Sequence, residues 1–197
     1  MKMRKGCTVP FPDALTEGYE IHETGFIANV SADKIRDVME HFVAIHGEPM
    51  FFILEIPSRY DDESDNGDGT VSSFHKDVYY IDGCSKEEAL AILDRSSSVL
   101  INDGLCSFGF GCHDSRDEII FGKYNVTTVF TENKQRFSGF FEKHDIRHTC
   151  KLLTAPETFS AENPGISRRE DTGGKSVYSV IDDCADRGIY KAERREE

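Results

Sequence analysis

The side chains in this sequence best suited to covalent chemistry are the thiols of Cys106 and Cys112. A thiol becomes a nucleophile when a nearby imidazole lowers its pKa and a carboxylate orients that imidazole. His113 follows Cys112 directly, but adjacent residues of a strand point to opposite faces of the sheet. The base would have to come from elsewhere, for example from His144 or His148. A thiol-dependent hydrolase or transferase that uses Cys112 or Cys106 with a distant histidine is therefore the alternative hypothesis.

The residues between these cysteines also have a structural explanation. Phe108, Phe110 and Cys112 alternate with Gly109 and Gly111. This alternation predicts a strand that buries one face, while the glycine face lets another group pack closely against it. We therefore expect the segment to be structural, and we favour a binding function over catalysis.

The densest charge in the chain lies in the loop that follows the apolar segment 50–56. Five carboxylates occur there within eight positions: Asp61, Asp62, Glu63, Asp65 and Asp68. Like charges this close repel one another and attract a positively charged surface. The loop is therefore the predicted contact for a basic protein partner.

Calcium is the alternative ligand of this acidic loop. Counted from Asp62, oxygen-bearing side chains occupy the first, third and fifth positions and Gly67 the sixth, as in an EF-hand. The twelfth position is Ser73, where an EF-hand has a bidentate glutamate, and an apolar strand pattern replaces the entering helix. The chain also lacks the phosphate-loop, HExxH and GxSxG motifs. The sequence therefore predicts neither a metal site nor a cofactor.

The whole chain is acidic, with 36 Asp and Glu residues against 23 Lys and Arg and a net charge of -13. Such a protein repels phosphate backbones and anionic membranes, so we expect no nucleic-acid partner and no membrane partner. The leading hypothesis is a small acidic binding protein. Its most concrete form is a bacterial immunity protein that neutralises a basic toxin, since opposite charges steer such pairs together.

Three features predict a cytoplasmic protein with free thiols. No run of about 18 apolar residues is present to span a membrane. The basic N-terminus continues into Pro10, Pro12 and Asp13 instead of the apolar segment of a signal peptide. The six cysteines are scattered along the chain without a disulfide framework.

Hydrophobic periodicity predicts the order of elements. Alternation indicates a strand over 19–30, helical spacing follows from Ser31 to His46, and the apolar run over 50–56 predicts a central strand. Ser85 and Glu88 form a capping box in front of a second helix. The same patterns predict further strands over 74–81, 105–112, 118–131 and 148–154, a short helix over 137–141 and a last helix over 176–187.

These elements predict an α+β protein with helices packed on a mixed, mainly antiparallel sheet. The two β-α-β units suggest a duplication, a hypothesis that no residue identity between the halves supports. The predicted organisation is an irregular arm over 1–18, one domain over 19–190 and a charged, frayed tail over 191–197. The residues chosen to test the core are Phe42, Ile53, Leu93, Phe140 and Ile181.

Overall fold

A computed structural model describes residues 1–59 and 74–196 of the 197-residue chain. The five carboxylates of the predicted partner loop, Asp61, Asp62, Glu63, Asp65 and Asp68, lie outside the described residues. The strands are β1 (Cys7–Thr8), β2 (Gly18–His22), β3 (Gly25–Asn29), β4 (Met50–Pro57), β5 (His75–Cys84), β6 (Ser107–Cys112), β7 (Asp117–Phe121), β8 (Val126–Phe130), β9 (Ile166–Ser167) and β10 (Tyr190–Glu196). The α-helices are α1 (Ile35–Ile45), α2 (Lys86–Asn102) and α3 (Ser179–Asp183).

Eight strands form one sheet in the order β10-β5-β4-β6-β7-β8-β3-β2, and β1 pairs with β9 in a small second sheet. Every pairing between these described strands is antiparallel. Helix α1 joins β3 to β4, and α2 joins β5 to β6. In the sheet, three strands lie between β3 and β4, and β4 lies between β5 and β6. The single α+β domain with a mainly antiparallel sheet is confirmed, while the parallel pairing expected of a mixed sheet is absent from the described strands.

Both long helices cover the same face of the large sheet. Helix α1 contacts β6 and β7, and α2 contacts β4, β5 and β6. The capping box of α2 forms as predicted, with the Glu88 amide donating to Ser85 Oγ at 3.2 Å and the Ser85 amide donating to Glu88 Oε2 at 2.9 Å. Within the described ranges, no helix has the length and apolar character needed to cross a bilayer.

The main core lies between the helices and the sheet. The apolar residues that recur at helical spacing along α1 are buried there, and so are the aromatic residues of β6. Of the five residues chosen to test the core, four are buried and Ile181 is half-buried. Ile53 belongs to a second, smaller cluster on the opposite face of the sheet, together with Phe51 and Val78.

Two segments predicted as single strands are hairpins. The segment 19–30 turns between His22 and Gly25 to form β2 and β3. The segment 118–131 is interrupted by a 3-10 turn, Lys123–Asn125, which separates β7 from β8. Neither turn contains a proline or an Asn-Gly or Asp-Gly pair, so the strongest sequence signals of a hairpin are missing.

Two segments in the last third of the chain also differ from expectation. The prediction of a strand over 148–154 is wrong, since that segment forms only an isolated bridge between His148 and Tyr19. The frayed tail is wrong as well, because residues 190–196 form β10 at the edge of the sheet. Lys191 Nζ and Arg194 Nε donate to the buried Asp77 carboxylate at 2.7 and 2.9 Å, so the charges expected to fray the tail hold it in place.

The N-terminal arm is irregular apart from β1 and one 3-10 turn, but it is packed into the fold. The buried Arg4 guanidinium donates to the carbonyl oxygens of Leu100, Cys106 and Gly122 at 2.7, 3.1 and 3.0 Å. It also lies 4.7 Å from the centre of the Phe121 ring. The arm therefore belongs to the domain that it precedes.

Candidate functional site

The candidate site lies on the face of the large sheet turned away from α1 and α2, here called the open face. Strand register places Asp82, Phe51, Gly111 and Glu118 in one row across β5, β4, β6 and β7. Because side chains alternate along each strand, all four residues face the same side as the buried Ile53. The row therefore sets a carboxylate on each side of an aromatic residue.

Glycines of β6 create the room for this arrangement. A Cβ at Gly111 would come within 2.1 Å of the Phe51 ring, and one at Gly109 within 1.8 Å of the carbonyl oxygen of Ile119. The Phe51 ring therefore fills the space above Gly111. This confirms the close packing that the alternating glycines predict.

Four aromatic rings follow one another across the open face. The ring centre of Phe51 lies 4.7 Å from that of His113 and 5.8 Å from that of Tyr80. Tyr80 is in turn 6.4 Å from Tyr190 of the edge strand β10. Together they form a continuous aromatic wall, the negative ring faces of which attract cations.

Two carboxylates flank the aromatic wall and differ in their partners. Asp82 accepts hydrogen bonds from His113 Nε2 at 3.4 Å and from the Tyr190 hydroxyl. The half-buried side chain of Glu118 has no hydrogen bond or ion pair with any described residue. Burial raises the pKa of Glu118, the nearby charge of Glu55 raises it further, and the charge of Arg195 lowers it in part. A buried carboxylate without a partner is costly, so a cation placed beside Glu118 would be favoured.

The wall and the carboxylates line one cavity of about 480 Å³, here called the open-face pocket. The cations nearest to it are already paired. Arg116 at the rim forms an ion pair with Glu132 at 3.2 Å. Arg195 pairs with Glu55 at 2.9 Å and with a second glutamate on its own strand. The pocket therefore offers aromatic surface and a Glu118 carboxylate that forms no ion pair with a described residue, a combination that binds cationic groups.

Of the two thiols proposed for catalysis, Cys112 is among the residues that line the open-face pocket, and Cys106 is not. Cys106 is fully buried on the helix side of the sheet, and burial raises the pKa of its thiol to about 12. The Cys112 thiol is also buried and donates to the Gly47 carbonyl at 3.7 Å. Among the described residues, no hydrogen bond joins either thiol to a histidine. The structure thus gives neither sulfur the base that a nucleophile needs.

Two histidines line cavities together with Cys112: the exposed His113 in the open-face pocket, which contacts Asp82, and His46 in a second cavity, whose ring is fully engaged. The Nε2 of His46 lies 2.9 Å from the buried carboxylate of Asp117, and its Nδ1 lies 2.7 Å from the Phe42 carbonyl oxygen. Both ring nitrogens of His46 are therefore engaged by groups other than the Cys112 thiol.

The predicted distant bases are also placed away from the thiols. His144 Nε2 lies 3.0 Å from His41 Nδ1, and the second nitrogen of His41 faces the Lys143 ammonium at 3.5 Å. Burial lowers the pKa of both imidazoles, which keeps the pair neutral at neutral pH. His148 is exposed, with its ring 5.3 Å from that of Tyr19.

Residues that could ligate a metal do not converge in the described part of the chain. No group of three or more His, Cys, Asp or Glu side chains with suitable geometry occurs over residues 1–59 and 74–196. The acidic loop with its calcium alternative, from Asp62 to Ser73, lies outside these ranges.

Sequence reasoning missed the residues that form the open-face pocket. Tyr80 and Asp82 of β5 and Glu118 of β7 look like ordinary strand residues, since only the strand order and register bring the two strands into one site. The one available signal is the pair Gly109 and Gly111, which predicts close packing against that face without naming the residue that packs there.

Comparison of the chain with models of protein families, with curated proteins and with solved structures found no match.

Proposed function

We propose that this protein is a binding protein that engages a basic protein partner through the open-face pocket. The observation that carries the proposal is the half-buried Glu118 carboxylate, which has no partner among the described residues and faces an aromatic wall. A positively charged side chain from a partner would satisfy this carboxylate and contact the aromatic rings at the same time.

The overall charge supports the same function. A net charge of -13 attracts basic surfaces over about a Debye length, roughly 8 Å at physiological salt, and speeds association. In this proposal the carboxylates of the acidic loop, Asp61, Asp62, Glu63, Asp65 and Asp68, steer the partner toward the pocket. Neutralisation of a basic toxin, as by an immunity protein, is one form of this function and is supported by charge alone.

The test uses a fluorescent ten-residue peptide of mixed Arg and Lys as a stand-in for the partner. Its affinity is measured for the wild type, for the pocket variant Asp82→Asn/Glu118→Gln and for the control Asp13→Asn/Glu162→Gln. Both control residues are exposed. Each of the two variants replaces one aspartate and one glutamate, so each removes two negative charges. We expect the pocket variant to bind roughly tenfold more weakly, because two charged contacts of about 1 kcal/mol or more are lost.

The control variant should stay within about twofold of the wild type, since distant exposed charges are screened at 0.15 M salt. Neutralising the five loop carboxylates should slow association more than it speeds dissociation, as expected for steering charges. Equal losses in the pocket and control variants would mean that bulk charge alone attracts the peptide, and would overturn the pocket as the docking point.

A further inference from the structure

We propose that the open-face pocket receives a single arginine side chain of the partner, with its planar guanidinium against the aromatic wall between Asp82 and Glu118. The inference rests on the proposed function and adds the identity of the group that is recognised. Its basis is the placement of two carboxylates on opposite sides of one aromatic residue.

The spacing of the carboxylates favours a planar, forked cation. Asp82 and Glu118 lie three strand spacings apart, which corresponds to roughly 14 Å between their backbones. Both carboxylates border the same cavity, so a group that donates hydrogen bonds in two directions can approach both of them. Guanidinium has five N–H donors in a plane and can meet a carboxylate on each of two edges. An ammonium is a compact point charge that one carboxylate satisfies.

The aromatic wall favours the same group. Guanidinium is weakly hydrated and lies flat on aromatic rings, whereas an ammonium is strongly hydrated and loses more on leaving water. Phe51 is held in place by Gly111 beneath it and by the neighbouring rings of His113 and Tyr80. The surface that a guanidinium would contact is therefore already formed in the free protein, which reduces the entropy lost on binding.

The size of the cavity limits what enters it. A volume of about 480 Å³ suits one long side chain and is too small for a folded segment of a partner. Arg116 at the rim already forms an ion pair with Glu132. One arginine presented on a protruding loop fits these conditions.

The test compares three capped pentapeptides that are identical except for a central arginine, lysine or citrulline. Citrulline keeps the shape of arginine and removes its charge. Binding is followed by the amide NMR signals of Tyr80, His113 and Glu118, which line the pocket. We expect the arginine peptide to bind roughly tenfold more tightly than the lysine peptide, and the citrulline peptide to bind more weakly than either.

Two variants test whether the Glu118 carboxylate makes the contact. Glu118→Gln should weaken arginine binding by about tenfold, while Glu162→Gln, which changes an exposed carboxylate elsewhere, should leave it unchanged. Equal binding of the arginine and lysine peptides at these amides would overturn the arginine assignment and leave the basic-partner function standing. If neither cationic peptide shifts these amides, the proposed function fails together with the inference.

Discussion

Two glycines of β6 determine the shape of the open face, and they do so in different ways. The space above Gly111 is taken by the Phe51 ring, a side chain that truncation to alanine removes. The space above Gly109 is taken by the Ile119 carbonyl oxygen, which belongs to the backbone of the neighbouring strand. An added methyl group should therefore be tolerated differently at the two positions.

We expect Gly111→Ala and Gly109→Ala each to lower the free energy of unfolding by about 1–3 kcal/mol, the usual cost of overpacking. In a Phe51→Ala background the cost of Gly111→Ala should largely disappear, because the ring that it displaces is gone. The cost of Gly109→Ala should persist, since its obstacle is backbone. Urea denaturation of the single and double variants measures how strongly the cost of each glycine substitution depends on Phe51.

Gly47 supplies the control for this pair. A Cβ there would meet nothing within 4 Å, so Gly47→Ala should be close to neutral. Equal coupling of Phe51→Ala to both strand glycines would contradict the packing described for the open face.

Burial also decides the reactivity of the thiols. Cys150 is exposed, whereas the other five cysteines are buried and unpaired. Burial raises the pKa of the Cys106 thiol to about 12, which leaves almost no thiolate at neutral pH. We therefore expect iodoacetamide to modify Cys150 first under native conditions, and mass spectrometry of the digested protein identifies the site. The variant Cys150→Ser should lose the fast phase, whereas rapid modification of Cys112 or Cys106 would restore the thiol-enzyme hypothesis.

At the level of elements, β10 illustrates how tertiary contacts override a sequence signal. Its sequence, rich in Lys, Arg and Glu, has the composition of a frayed tail, and every one of its residues is exposed. It is held as an edge strand by backbone pairing with β5 and by the ion pairs of Lys191 and Arg194 with Asp77 on that neighbouring strand. Nothing local to residues 190–196 identifies this acceptor, which lies more than a hundred residues earlier in the chain.

Asp77 should therefore control the attachment of β10. Burial by itself would raise the pKa of Asp77, but hydrogen bonds from Arg194, Lys191 and Ser58 outweigh it and lower the pKa to about 2. We expect Asp77→Asn to lower the free energy of unfolding by roughly 1.5–3 kcal/mol and to speed amide exchange over 190–196. Glu40→Gln, which removes an exposed partner of Arg36, should cost less than about 1 kcal/mol.

The pH dependence of this contribution follows from the direction of the shift. A carboxylate whose pKa is lowered in the folded state stabilises the protein fully above its unfolded pKa of about 3.9. The contribution is lost as the pH falls toward about 2, where folded Asp77 takes up a proton. The stability difference between wild type and Asp77→Asn should therefore shrink over that window. A constant difference between pH 5 and pH 2 would contradict the role assigned to the carboxylate.

For the whole molecule, local signals in the sequence predicted the class of fold. The apolar stripe of α1, the Ser85 capping box and the run that forms β4 each specify their element through neighbours in the chain. Strand order could not be predicted in the same way, because the pairing partners of β4 are chosen by packing between distant segments. The candidate site depends on that order, since Asp82 and Glu118 approach each other only across β4 and β6.

The proposed function places a cationic group of the partner beside Glu118 in the open-face pocket. The ionisation of the Glu118 carboxyl is the property that this contact changes most directly. The pKa of Glu118 can be followed by carbon-13 NMR of its carboxyl group in the free protein and with a saturating arginine-containing peptide. Burial raises this pKa in the free protein, and a bound cation favours the ionised form. We therefore predict that saturation lowers the pKa of Glu118 and leaves that of the exposed Glu162 unchanged. An unaltered pKa of Glu118 in a protein that has demonstrably bound the peptide would contradict the account.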